Sequence, residues 1–242
     1  HQQGTSLALR LLPLECPRLD DLQTPEAIPE LLHGENGLVL VTGATGSGKS
    51  TTLAAMVEYL NQHIAGHILT LEDPIEYRYT SQRCLIQQRE VGVHCASFAA
   101  GLRGALREDP DVILLGELRD VETIRLALTA AETGHLVLAT LHTRGAAQAI
   151  ARLVDTFPAQ EKDPVRNQLA DSLRAVLSQK LEEDKQGGRA ALFELLVNTP
   201  AVGNLIREGK THQLPGVIQT GQQTGMQTFA QSQQQRQAQG RL

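Results

Sequence analysis

A mainly parallel β-sheet covered by helices on both faces, an α/β fold, is predicted by three features of the 242-residue sequence. Short, mostly apolar runs at Leu38–Val41, His67–Leu71, Val112–Leu115 and Leu136–Thr140 lack strict alternation, which is how strands buried on both faces read. Stretches with helical spacing separate these runs, so strands and helices alternate. The first run leads directly into Gly43-Ala44-Thr45-Gly46-Ser47-Gly48-Lys49-Ser50, with the spacing G-x-x-x-x-G-K-[ST] of a phosphate-binding loop. Such a loop needs a strand before it and a helix after it, and both are present.

Taken in order, Leu7–Leu12 reads as a strand without a partner nearby, ended by Pro13. Pro13, Pro17, Pro25 and Pro29 punctuate a linker, with a short helix over Glu26–His33. The sheet begins at Leu38. A helix over Thr51–His63 places Leu53, Met56, Val57 and Leu60 on one side. The strand His67–Leu71 runs into Glu72-Asp73-Pro74-Ile75-Glu76, where Pro74 stops the pairing. Cys84–Arg89 reads as a short strand and Ser97–Arg107 as a helix with Phe98, Leu102, Ala105 and Leu106 aligned. After Val112–Leu115, Asp120 caps a helix that Gly134 stops. Leu136–Thr140 then leads into His142. Helices are predicted at Ala146–Val154 and Asp163–Ser178, a strand at Ala190–Val197 and a helix at Pro200–Glu208. The Gln-rich end, Gln227–Gln239, reads as a solvated helix that frays.

Composition narrows the function. Hydrophobic residues make up 41% of the chain, enough for a sizeable core, and that core is aliphatic because Trp is absent. The net charge of −5 argues against a nucleic-acid-coating role. Cys16, Cys84 and Cys95 have neither disulfide-framework nor zinc-ligand spacing and fit a reducing compartment. No apolar run approaches the roughly 20 residues of a membrane helix. The chain starts at His1 with an apolar run close behind, which reads as a fragment with an upstream part missing.

Parallel sheets bind ligands at the carboxyl ends of their strands, and four strands here end in polar chemistry. Gly43, Ala44, Thr45, Gly46, Ser47, Gly48, Lys49, Ser50 and Thr51 form the expected phosphate cradle: backbone N–H groups and a helix N-terminus face the anion. Lys49 supplies charge to the β- and γ-phosphates, and the Ser50 hydroxyl is the expected Mg²⁺ ligand. Glu117 follows the third strand and is the candidate to orient or deprotonate an attacking water, with Glu76 next in line. His142 follows the fourth and is placed to sense the γ-phosphate. Gly116 occupies the place where P-loop enzymes usually carry Asp before this Glu. Mg²⁺ is therefore expected to rely on Ser50, phosphates and water, with acids of Glu72–Glu76 further out.

The four segments together resemble the secretion/type IV pilus ATPase family. They are the phosphate loop, Leu71-Glu72-Asp73-Pro74-Ile75-Glu76-Tyr77, Ile113-Leu114-Leu115-Gly116-Glu117-Leu118-Arg119-Asp120, and Gly134-His135 through Leu141-His142-Thr143. The likeness runs from Leu7 to Phe229 and is greatest to the PilT-like, twitching-motility retraction branch. It implies a RecA-like P-loop NTPase core over 25–198, a C-terminal helical segment over 199–242, and, in 1–24, the last strand and linker of an N-terminal PAS-like domain. It also implies ATP and Mg²⁺ as cofactors, ATP hydrolysis and a homo-hexamer. Its expected partner is an inner-membrane pilus or secretion platform protein at the cytoplasmic face, with no nucleic acid. A nucleotide-binding regulator or scaffold with little motor activity is the alternative. The retraction branch carries Ala-Ile-Arg-Asn-Leu-Ile-Arg-Glu where this chain has Ala201-Val202-Gly203-Asn204-Leu205-Ile206-Arg207-Glu208. Gly203 removes a charge expected to serve a partner or subunit contact, so altered coupling to retraction is expected.

Overall fold

The computed structural model describes residues 4, 5, 7, 15–34, 36–185 and 187–242. Among these, the strands are β1 (Gly37–Thr42), β2 (Gly66–Glu72), β3 (Cys84–Glu90), β4 (Val112–Leu115), β5 (Leu136–Leu141), β6 (Leu173–Glu183) and β7 (Arg189–Val197). They form one sheet in the order β3-β2-β4-β5-β1-β6-β7. Every pairing is parallel except that of β6 with β7. The helices are α1 (Ile28–Leu32), α2 (Lys49–His63), α3 (Phe98–Ala105), α4 (Val121–Glu132), α5 (Ala146–Asp155), α6 (Lys162–Ser172), α7 (Pro200–Arg207), α8 (Leu214–Thr220) and α9 (Phe229–Ala238). The strand expected at Leu7–Leu12 lies, apart from exposed Leu7, outside the described residues.

The continuous apolar runs are explained by two cores, one on each face. In β1, Leu38 and Leu40 point into a core built with α3 to α8, whereas Val39 and Val41 point into one built with α1 and α2. Successive strand residues face opposite ways, so a strand covered on both sides must be apolar throughout. The predicted cap is present, Asp120 accepting from Thr123 N at 2.8 Å, and Ser97, expected inside its helix, caps it instead by accepting from Ala100 N at 3.1 Å.

Two expectations are corrected. The helix expected over Asp163–Ser178 ends at Ser172, and Leu173–Ser178 belongs to β6. Val165, Leu169, Leu173, Val176 and Leu177 keep helical spacing across the boundary, and no Gly or Pro separates the elements. The chain turns extended at Leu173 (ψ 133) with no loop between. Pairing with β1 decides the matter, because β6 fills the slot beside it.

The second correction concerns the Gln-rich end, which is anchored. Thr228 and Gln231 form a reciprocal capping box at the start of α9. The outer edge of β7 is closed by this segment: Leu195 N donates to Gln227 O at 2.9 Å, Phe193 N to Ser232 Oγ at 3.1 Å, and Arg236 Nε to Ala191 O at 3.2 Å. Open strand edges invite foreign pairing, and three residues of α9 and its approach cover this one. Arg236 is buried, and its Nη2 also donates to Gln23 O at 2.8 Å, tying the helix to the linker.

Gly203 is likewise not on an outward face. It is buried in α7 against α6, and a Cβ there would lie 3.5–3.6 Å from Arg207 Nη1, Ala170 O and Asn198 Oδ1. A methyl fits, whereas a longer side chain must leave along the α6–α7 seam beside Arg207. Gly203→Ala is expected to raise stability by about 0.5–1 kcal/mol through reduced backbone entropy in the unfolded chain. A thermal melt checks this; a lower midpoint would show that the seam cannot admit the methyl.

Candidate functional site

The carboxyl ends of β1, β2, β4 and β5 open onto one cleft of about 550 Å³, within the range of small-molecule sites. Its wall includes Thr45, Gly46, Gly48, Lys49, Ser50 and Thr51 from the loop and the start of α2, with Glu72, Asp73 and Glu76 after β2. Glu117 after β4 and His142 after β5 complete the predicted set. Gly43, Ala44 and Ser47 build the loop without lining the cleft.

Backbone geometry makes the loop. Gly48 is left-handed (φ 90, ψ 17) and is the N-cap of α2, so the chain turns into the helix with no Cβ in the way. Gly43 has φ 154, and a Cβ there would fall 2.4 Å from Ser47 Oγ and 2.5 Å from Gln179 O. The first turn of α2 leaves N–H groups without intrahelical partners, facing the cleft.

Lys49 is 8% exposed, and its Nζ donates to Gly43 O at 3.1 Å and Ala44 O at 3.0 Å. It also reaches His142 Nδ1 at 3.3 Å, across 93 positions of sequence. Burial lowers the Lys49 pKa below the usual lysine value, opposed by the nearby carboxylates of Glu117 and Glu76. His142 Nε2 stands 3.3 Å from Glu117 Oε1. An ammonium donating to Nδ1 leaves the proton on Nε2, which then faces the carboxylate. The other Glu117 oxygen accepts from Arg119 Nε at 2.6 Å. Lys49, His142, Glu117 and Arg119 thus form a connected polar row between the loop and the mouth of the cleft.

The acids after β2 are held by a separate network. Glu72 is buried and accepts from Thr70 Oγ1 at 2.7 Å and Gln88 Nε2 at 3.1 Å. Burial raises its pKa, and those two hydrogen bonds oppose the shift. Gln88 Nε2 also donates to Tyr77 O at 2.8 Å and its Oε1 accepts from Tyr79 N at 3.0 Å, pinning the segment that carries Glu76. The Tyr77 hydroxyl meets Thr51 Oγ1 at 3.0 Å.

Gly116 stands where Asp is usual, at the junction of β4 with the end of β2. Its N donates to Leu71 O at 2.8 Å, and a Cβ would already touch Glu72 Cα and Leu71 O at 3.4 Å. Both Cβ distances are ordinary van der Waals contacts, so a Cβ fits beside β2, and Gly116 itself lines the cleft. Among the described residues no three His, Cys, Asp or Glu side chains cluster as a metal cage. The oxygen donors present, Ser50 with the surrounding carboxylates, suit a hard cation that arrives with phosphate oxygens.

Sequence reasoning missed Arg119, Leu181 and Arg189, which border the cleft, and Gln88 and Gln179, which brace its walls from behind. Gln179 was hidden because the start of β6, Leu173–Ser178, read as the end of a helix and left Gln179 just beyond it. A period-2 reading of Ala175, Leu177, Gln179 and Leu181 is the signal that finds it. Among the described residues no helix is long and apolar enough to cross a membrane.

Comparison with known proteins agrees with this arrangement. The family model described as type II/IV secretion system protein matches residues 2–242. The chain is 80% identical over 241 residues to the "uncharacterized protein YggR" of Escherichia coli (strain K12), covering 100% of this chain and 74% of that protein. It is 54% identical over 227 residues to the "type IV pilus retractation ATPase PilT" of Pseudomonas aeruginosa, covering 94% and 66%. Among solved structures, the "pilus retraction motor PilT and bound ADP" superposes with a TM-score of 0.90 at 48% identity, covering 96% of this chain and 66% of that one. The chain thus spans between 66% and 74% of the length of these relatives.

Proposed function

The chain belongs to the type II/IV secretion system protein family, in its PilT-like branch, and on that premise we propose that it is the ATPase core of a pilus- or secretion-class motor. The observation that carries this is the convergence of Lys49, Ser50, Glu76, Glu117 and His142 on one cleft at the carboxyl edge of the sheet. ATP and ADP are the ligands. The loop N–H groups and Lys49 hold the phosphates, and Lys49 exchanges its bonds to Gly43 O and Ala44 O for phosphate oxygens. Ser50 would hold Mg²⁺, which would supply charge neutralisation to the phosphates. Glu117 orients and deprotonates water in line with the γ-phosphate, His142 links that carboxylate to Lys49, and Glu76 stands next as a base.

The division of the chain follows the same reading. Residues 25–198 are the RecA-like core, 199–242 a C-terminal helical segment, and 1–24 the end of an N-terminal PAS-like domain with its linker. The working assembly is a homo-hexamer docked on a platform protein at the cytoplasmic face of the inner membrane. It couples hydrolysis to pilus retraction or a related process.

One observation favours a second reading, a nucleotide-binding regulator. Glu117 is engaged by Arg119 and lies beside His142, an arrangement that restrains a base. The test is phosphate release from ATP by the full-length protein, alone and with its membrane partner. A motor shows turnover that stops when Mg²⁺ is chelated and rises with the partner. Nucleotide binding with no turnover under either condition would leave the regulator.

A further inference from the structure

Gln179, on β6, is 3% exposed and lies under the phosphate loop. Its Nε2 donates to Ser47 O at 2.5 Å. Its main chain braces the start of the same loop, since Gln179 O would be 2.5 Å from a Cβ on Gly43. Beside it, Thr42 and Ser178 join the two strands through their hydroxyls at 2.8 Å. The loop therefore rests on β6 at both its first glycine and its fifth residue.

The bond to Ser47 O has a directional consequence. A trans peptide is planar, and its C=O and N–H point opposite ways. Drawing Ser47 O down toward β6 turns the N–H of Gly48 up into the concave side of the loop. Among the described residues that N–H donates to no acceptor. Gly48 is the left-handed N-cap, and because a glycine can also adopt other backbone conformations, this peptide orientation needs an outside restraint.

We propose that Gln179 is a positioning residue for phosphate binding: its amide holds the Ser47–Gly48 peptide so that the Gly48 N–H faces the bound anion. The proposal rests on the nucleotide-binding reading above. The side chain must be a neutral donor of this length. A carboxylate would set an acceptor against the Ser47 carbonyl, and a thioether would leave the carbonyl buried without a donor. The same contact links loop occupancy to the β6–β7 pair, where Leu181 and Arg189 border the cleft.

The test is ADP binding, by calorimetry, to this chain and to its Gln179→Met and Gln179→Glu variants, with the folded fraction measured by circular dichroism. Gln179→Met keeps the volume and loses the donor. It is expected to weaken ADP about tenfold per folded molecule, the effect of one lost hydrogen bond. In Gln179→Glu the protonated carboxyl can donate and the carboxylate cannot, and burial favours the protonated form. Its ADP affinity relative to wild type is therefore near one at about pH 5.5 and falls as pH rises toward about 8.5. A role confined to stability would lower the melting midpoint and leave these affinities unchanged. Wild-type binding with Gln179→Met within twofold, or a Gln179→Glu deficit that ignores pH, overturns the proposal alone. A wild-type chain that binds no ADP overturns the nucleotide reading and this proposal with it.

Discussion

Lys49→Ala is expected to weaken ATP and ADP binding on the order of a hundredfold, the effect of removing a buried, charge-assisted donor. Lys49 is 8% exposed and gathers three acceptors: Gly43 O, Ala44 O and His142 Nδ1. A phosphate reaching the loop meets a positive charge already at its centre, in surroundings that screen it little. Alanine takes away that charge and leaves two loop carbonyls without their donor, so part of the loss is the loop's own disorder. Calorimetric titration with ADP, with circular dichroism to confirm folding, measures it. An affinity within threefold of wild type would remove Lys49 from the phosphate site.

Glu117→Gln is expected to keep ATP bound and lower turnover by about 10²–10⁴-fold, the usual worth of a general base. The side chain is 18% exposed, with one oxygen on Arg119 Nε and the other 3.3 Å from His142 Nε2. The amide preserves shape and volume and can still accept from Arg119, so binding and folding are preserved while proton acceptance is lost. Single-turnover and steady-state phosphate release by the full-length protein are compared, with ATP affinity measured in parallel. If turnover persists within a few-fold, Glu117 is not the base and Glu76, on the same cleft, is the next residue to change. The two substitutions fail in different steps. The lysine variant loses binding, whereas the glutamate variant becomes an ATP trap, a contrast no stability defect reproduces.

Much of this site was legible because its parts are local. The loop is eight consecutive residues with a strand before and a helix after, and Glu117 and His142 each follow a strand of unmistakable composition. A parallel sheet brings the carboxyl ends of its strands to one edge, so residues that end strands converge without any need to know the contacts. The same logic failed at β6. Helical spacing of apolar residues also occurs in a strand covered on both faces, and the missing turn signal let α6 appear to continue to Ser178. That error concealed Gln179. At the C-terminus, low complexity suggested fraying. The chemistry holding α9 and its approach is five hydrogen bonds to a strand edge more than thirty residues upstream, which no local pattern displays.

By itself the sequence determined the strand–loop–helix that cradles phosphate, the α/β class, and which side chains stand at the carboxyl edge. Each depends on propensity, periodicity or spacing within a window of a few turns. Only the tertiary structure decided that Lys49 reaches His142 across 93 positions, and that His142 in turn adjoins Glu117. The same holds for Gly116, whose N–H is bonded to Leu71 O at the end of β2, and for the floor of the loop, which belongs to Gln179. These are relations between elements brought together by packing. Their energies depend on distance and burial, quantities that exist only once the sheet has closed in its own strand order.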